Sequence, residues 1–178
     1  MTILTQDECL AALRDGDRIL ALDVGAKTIG LATAVWGQEL VMPLQTIDRV
    51  KFTRDAERLA DVMADLGARV LVVGWPLLPD GRAGKRCQSV YDFTQELDRF
   101  LMSPPTRQAD GLATSPSRGE VDGPVLITFQ DERFSTARGD ETVDNIGKTA
   151  GKGVNTRRRD AMIDALAAQE ILKDFLFS

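Results

Sequence analysis

Apolar residues in this chain recur in two rhythms that alternate along it. Arg18 to Val24 (R-I-L-A-L-D-V) and Ile29 to Val35 (I-G-L-A-T-A-V) are compact apolar runs. The turn-like Gly25-Ala26-Lys27-Thr28 joins them, which predicts a β-hairpin. A third strand is expected over 39–47. From Lys51 to Leu66 the spacing becomes helical, with Phe52, Leu59, Val62, Met63 and Leu66 on one side and charges between them. Arg69 to Gly74 (R-V-L-V-V-G) is nearly all apolar and β-branched, as a strand covered on both faces should be. After a loop over 75–84, Val90, Tyr91, Phe93, Leu97 and Phe100 predict a second helix across 88–101. Val125 to Phe129 reads as a strand. Arg157 to Phe175 gives the clearest helix, with Ile163, Leu166, Ala167, Ile171, Leu172 and Phe175 along one side. Three strands followed by alternating helix and strand favour an α/β fold, a mixed five-stranded sheet flanked by helices on both faces.

Two segments stand outside that pattern. Thr5 and Glu8 have capping-box spacing ahead of Leu10 and Leu13, so a short helix over 6–14 is expected within an N-terminal extension, 1–17, that reads as an appendage. Pro104 to Gly123 is rich in Pro, Ser, Thr, Gly and Asp without apolar periodicity, which marks 103–124 as a flexible insertion with no chemistry assigned. The whole chain, 1–178, is expected to be one domain.

At 178 residues, 43% hydrophobic and 28% charged, the chain can bury a core without disulfides or a structural metal. It contains no histidine, which excludes Ser-His-Asp triads, HNH-type nucleases and His-ligated zinc sites together. Catalysis must therefore use carboxylates, Lys, Ser, Thr, Tyr or Cys. A net charge of -5 argues against a protein that coats nucleic acid with its whole surface, but leaves room for a local basic patch. Cys9 and Cys87 have no metal-ligand spacing and read as free thiols in a reducing compartment. The N-terminus lacks the basic start and apolar run of a secretory signal, and no stretch reaches membrane-span length, so a cytoplasmic protein without a membrane is expected.

Three acidic residues stand in apolar settings. Asp23 closes one buried-looking strand, Glu132 closes another, and Asp164 lies among Ile163, Leu166 and Ala167. Carboxylates there are costly to desolvate unless a cation or hydrogen-bond donors meet them. Magnesium suits such ligands, and two ions about 4 Å apart would clamp the attacking water and leaving oxygen of a phosphodiester. The bland alternatives are that Asp23 caps a turn, Glu132 pairs with Arg133, and Asp164 is a salt-bridged helix residue.

Asp23-Val24-Gly25-Ala26-Lys27-Thr28-Ile29-Gly30 resembles the opening signature of the YqgF/RuvX family, proteins described as Holliday-junction-resolvase-like and as pre-16S rRNA nucleases. Three further blocks resemble the family in the same order. Val72-Val73-Gly74-Trp75-Pro76-Leu77 with Asp80-Gly81 is similar to its G-x-P-x-x-x-D-G loop, and Asp131-Glu132-Arg133-Phe134-Ser135-Thr136 to its D-E-R-x-S-T block. Asp164-Ala165-Leu166-Ala167-Ala168 is similar to its C-terminal D-x-x-A-A helix. The resemblance implies an RNase H-like fold and an acidic cluster, carried over to Asp23, Glu132 and Asp164 as catalytic metal ligands for Mg2+ or Mn2+. Asp160, one turn earlier, ranks as auxiliary, because a solvated helix charge explains it equally well. The implied activity is phosphodiester hydrolysis at the 5' end of pre-16S rRNA, with branched-DNA resolution as the runner-up. Departures are Trp75 for a usual Leu, Leu78 and Pro79 for Asn and Met, and Arg138 at a place often acidic.

Basic residues suggest where the nucleic acid lies. Lys148, Lys152, Arg157, Arg158 and Arg159 have no acid among them, and Arg82, Lys85 and Arg86 adjoin the Asp80-Gly81 loop. Such clusters neutralise phosphates while the remaining surface stays acidic. Lys27 and Arg133 adjoin the strand-end carboxylates and suit the scissile phosphate or a ligand-orienting role. Ser135 and Thr136 are better explained by capping a helix. The competing readings are a non-catalytic RNA- or ribosome-binding protein and an actin-like ATP-binding module, which would need a second phosphate hairpin and a glycine-rich adenosine loop. A monomer or weak homodimer fits the composition.

Overall fold

The computed structural model describes residues 3–102, 124–132 and 156–177, with side chains of the last segment from Ala161 onward. The hairpin forms as expected. Its strands β2 (Arg18–Val24) and β3 (Thr28–Val35) run antiparallel, with Asp23 opposite Gly30 and Val24 opposite Ile29. The Gly25 N–H donates to the carbonyl of Thr28 at 2.9 Å and closes the turn. β4 (Val41–Asp48) adds antiparallel to β3.

Helix α2 (Phe52–Leu66) follows and stops at Gly67, whose φ of 64° is the left-handed conformation that a side chain would resist. The chain returns as β5 (Ala68–Trp75), parallel to β2, then as α3 (Lys85–Met102), and then as β6 (Leu126–Asp131), parallel to β5. Helix α4 (Thr156–Phe177) lies across β2, β3 and β4. Three antiparallel strands extended by two parallel ones, with helices on both faces, give the mixed sheet expected of an RNase H-like fold.

Among the described residues the sheet has six strands rather than five. The additional one, β1 (Ile3–Leu4), pairs parallel with the outer edge of β6 through Ile3↔Ile127 and Leu4↔Thr128. Two residues are too few to display a period-2 alternation, so periodicity could not announce it. The segment is therefore no appendage. Helix α1 (Gln6–Ala12), capped by the reciprocal Thr5 and Glu8 bonds, buries Cys9 completely in the core. Arg69, at the start of β5, donates Nε–H to Asp17 Oδ1 at 2.9 Å and an Nη2 hydrogen to the Ala12 carbonyl at 3.0 Å, fastening the extension to the sheet.

Side-chain alternation sorts the interior into two cores. Leu20, Leu22, Val24, Leu71 and Val73 point toward α2 and α3, whereas Ile19, Ala21, Val70 and Val72 point toward α4 and α1. Burying each of the fully enclosed leucines contributes about 2 kcal/mol. By the same parity Asp23, Gly30 and Gly74 belong to the α4 face. On that face β3 presents Gly30, Ala32 and Ala34, a low surface onto which α4 can settle closely. The Thr46 hydroxyl donates to the Ala161 carbonyl, and Gln169 Nε2 to the Val41 carbonyl at 2.7 Å, fixing the helix along the strands.

Candidate active site

The carboxyl ends of parallel strands in an open α/β sheet are where ligands ordinarily bind. Here β2, β5 and β6 bring Asp23, Gly74 and Glu132 to that end. Asp23 is next to last in β2, and Gly74 next to last in β5, each one residue beyond the paired Leu22 and Val73. Glu132 follows β6 directly, its N–H donating to the Trp75 carbonyl at 3.2 Å.

Two glycines make room for the other carboxylates. A Cβ on Gly30 would collide with the main-chain carbonyl of Asp164, so α4 rests its backbone on the strand position opposite Asp23. A Cβ on Gly74 would occupy the place of Glu132 Oε1 and lie 2.6 Å from Ile171 Cδ1. Gly30 and Gly74 are thus site residues that the sequence reading did not single out. An isolated glycine within a strand pattern was the available signal of close approach.

The electrostatics follow from this crowding. Burial pushes the Asp23 carboxyl up to about 6; Asp164 adds to the rise, and Arg86 opposes it. Burial likewise pushes Glu132 up to about 8, reinforced by Asp23, opposed by Arg86, and raised further by Asp131. Asp23 is therefore within electrostatic reach of both Asp164 and Glu132. Arg86, in the first turn of α3, is the cation that both strand-end acids sense. Gln130 adds to the oxygen-rich character: it is 7% exposed, lies opposite Gly74 in β6, and its Oε1 has no hydrogen-bond partner among the described residues.

Among the described residues, no three carboxylates or thiols close on one point at metal-ligating distance. The donor set nevertheless fits a hard divalent cation. Magnesium commonly takes only one or two protein carboxylates and completes its shell with water and substrate phosphate. Asp23 with Asp164, and Asp23 with Glu132, are two such pairs sharing one member. Each pair repels itself in a poorly hydrated setting, which a cation would relieve.

The other expected site residues are distributed as follows. Lys27 is exposed in the β2–β3 turn, where its carbonyl accepts the Arg49 N–H at 2.8 Å. Lys85 opens α3 and is exposed. Arg82 is held by Asp80 in a surface ion pair at 2.6 Å. Arg157, Arg158 and Arg159 fall in the first turns of α4, but their side chains, and that of Asp160, lie outside the described residues. So do Arg133, Ser135, Thr136, Arg138, Lys148, Lys152 and the Pro104–Gly123 segment. Trp75 packs on the face away from the acids, its ring 4.7 Å from Phe129 and 6.4 Å from Tyr91, so it fills space rather than serving the site.

The RuvX family, described as Holliday junction resolvase, matches residues 17–178. A Rhodospirillum centenum protein named "Putative pre-16S rRNA nuclease" is 38% identical over 99% of this chain and 81% of its own length. One of the same name from Paramagnetospirillum magneticum is 36% identical over 99% of this chain and 96% of its own. Among solved structures, RuvC of Thermus thermophilus in complex with a Holliday junction substrate is 11% identical, with a TM-score of 0.45, over 88% of this chain and 95% of its own. With a family match across nearly its whole length and two such relatives, the chain belongs to the RuvX family.

Proposed function

We propose that this protein is a divalent-metal-dependent nuclease that hydrolyses phosphodiester bonds, acting in the cytoplasm on the 5' end of precursor 16S rRNA. The observation that supports the reading is that Asp23, at the end of β2, lies within electrostatic reach of Asp164 on α4 and of Glu132 after β6, residues far apart in sequence, with Asp23 and Glu132 raised by burial and by these neighbouring charges. The names of the relatives supply the substrate class.

Asp23, Glu132 and Asp164 would hold Mg2+ or Mn2+, with Asp160 as an auxiliary. When bound, the metal supplies an activated water and a counter-charge for the departing oxygen. The chain's own groups do the rest. Gly30 and Gly74 keep the acids at fixed separation from the strands. Lys27 stands on the turn after Asp23, and Arg133 directly follows Glu132 in the sequence; both would engage the phosphate being cut. Lys85 and Arg82 on the α3 side, and Lys148, Lys152, Arg157, Arg158 and Arg159 leading into α4, supply charge for the flanking phosphates while the remaining surface stays acidic. The unit that acts is a monomer or weak homodimer.

A second reading, resolution of branched DNA, is favoured by the family's description. Both are separated in one experiment: metal-titrated cleavage of precursor rRNA, single-stranded RNA and four-way DNA junctions by the native protein beside Asp23→Asn. Scission of precursor rRNA that disappears with Asp23→Asn is expected. Equal cleavage by the two proteins would remove Asp23 from the mechanism, and ATP hydrolysis without strand scission would replace a nuclease with a nucleotide-binding module.

A further inference from the structure

On the side of the sheet end covered by α2 and α3, away from the acids, lies a cavity of about 400 Å³ lined by Ala26, Arg49, Lys51, Phe52, Asp55 and Ser89. Its volume falls within the range of small-ligand sites. Arg49 is held in its wall from three elements. Its Nη1 donates to the Gly25 carbonyl at 2.6 Å, its Nε stands 3.8 Å from Asp55 Oδ2, and its guanidinium lies 5.0 Å from the centre of the Phe93 ring. Such a guanidinium has already lost its rotamer freedom, and the hydrogen bond to Gly25 with the longer ion pair to Asp55 uses only part of its five-donor capacity.

Among the described residues, the one acid lining the cavity is turned inward. Asp55 is 1% exposed, with Oδ1 accepting the Val50 N–H at 3.1 Å and Oδ2 facing Arg49. Lys51 therefore dominates the open side, together with the first turn of α2, for which Lys51 makes no side-chain cap. The cavity and the acidic site adjoin the same end of the sheet. Gly25, which Arg49 grips, is two residues from Asp23. On α3, Ser89 follows Arg86 by three residues and so lies on the same helix face. Cys87 Sγ donates to the Pro76 carbonyl at 3.1 Å, which docks this end of α3 beside the Trp75 carbonyl that receives the Glu132 N–H. Arg49, Lys51 and Ser89 thus give the cavity a cationic, hydrogen-bonding wall at the sheet end that also carries the carboxylates.

Resting on the nuclease reading, we propose that this cavity is a second anion subsite, which holds a backbone phosphate of the nucleic-acid strand next to the bond being cut. Arg49 and Lys51 meet the phosphate, Ser89 donates to it, and Phe52 borders the attached nucleoside.

The test uses the full chain, calcium in place of magnesium, and a fluorescein-labelled single-stranded RNA followed by anisotropy. Lys51→Ala should weaken binding roughly 5- to 10-fold at low salt and reduce the slope of log affinity against log salt by about 0.7, the share of one single-strand phosphate contact. Ser89→Glu should weaken it further, whereas Arg99→Ala, remote on α3, should leave the slope unchanged. Phosphate-ethylation interference should show one modified position flanking the cut site that matters to the native protein and not to Lys51→Ala. Unaltered melting temperatures keep these effects apart from folding. Native affinity and slope in both Lys51→Ala and Ser89→Glu, in a protein that still cleaves, would overturn the subsite alone. A native protein that neither binds nor cleaves would overturn the nuclease reading along with it.

Discussion

Adding a single methyl group at Gly74 would separate the architecture of the site from its chemistry. The new Cβ in Gly74→Ala would fall where Glu132 Oε1 now sits, and 2.6 Å from Ile171 Cδ1. Both obstacles are ends of flexible side chains. An ordinary carbon–oxygen approach is roughly 3.3 Å, so the carboxylate oxygen must retreat by more than about 1 Å. Overpacking of this kind costs about 1–3 kcal/mol, which for a chain of this length lowers Tm by roughly 2–12 °C. A misplacement of about 1 Å at a catalytic group costs on the order of 100-fold in rate. Single-turnover cleavage at saturating magnesium should therefore fall about 100-fold, while a cooperative thermal transition persists. Glu132→Gln sets the floor, and the double variant should be no slower than Glu132→Gln alone, because both changes act on one group. A Gly74→Ala protein that cleaves within twofold of native would refute the idea that Glu132 must occupy this position.

Gly30→Ala should be harsher, because the clash is with the main chain of Asp164 and requires α4 to lift from β3; a loss of about 3 kcal/mol or more, read by urea denaturation, is expected together with loss of activity. Asp23 and Glu132 make the metal-free protein pH-sensitive in a definite direction. Their folded values, about 6 and about 8, lie above the ordinary 3.8 and 4.5, so stability is fully present below about pH 4 and declines as pH rises through 6 and 8. The first ionisation alone is worth on the order of 3 kcal/mol. Tm without metal should fall between pH 5 and 8.5, Asp23→Asn should flatten the fall, and magnesium should raise Tm more at pH 8 than at pH 5. Calcium should give a similar rise yet support little turnover, because its looser coordination shell misplaces the reactants; rapid calcium-driven cleavage would contradict this.

Elements with long, regular patterns were readable from the chain itself. The hairpin, α2 and β5 were placed within a residue or two because the periodicity of their side chains is also what the two cores select. The start of α3 was not, since Lys85 and Arg86 carry no apolar rhythm; the bond between Cys87 and Pro76 anchors that end. The acids could be picked out because a charge at the end of an apolar strand is conspicuous. Their spacers were signalled only as isolated glycines within strand patterns, because the atoms filling the gaps left by the missing side chains of Gly30 and Gly74 come from α4 and from beyond β6. Arg49 was equally hidden. Nothing about an arginine in the β4–α2 connection foretells that Gly25, Asp55 and Phe93 will hold it.

The short pairing of β1 with β6 bears on where this protein can be cut. The family match begins at residue 17, but a fragment starting there would lose Ile3 and Leu4 and bare the rim of the strand that leads into Glu132. It would also orphan the Arg69 guanidinium from the Ala12 carbonyl. Naked strand rims recruit strands from other molecules. A truncated protein should therefore self-associate through β6, and a loss of cleavage in it would report a blocked edge rather than a missing catalytic group.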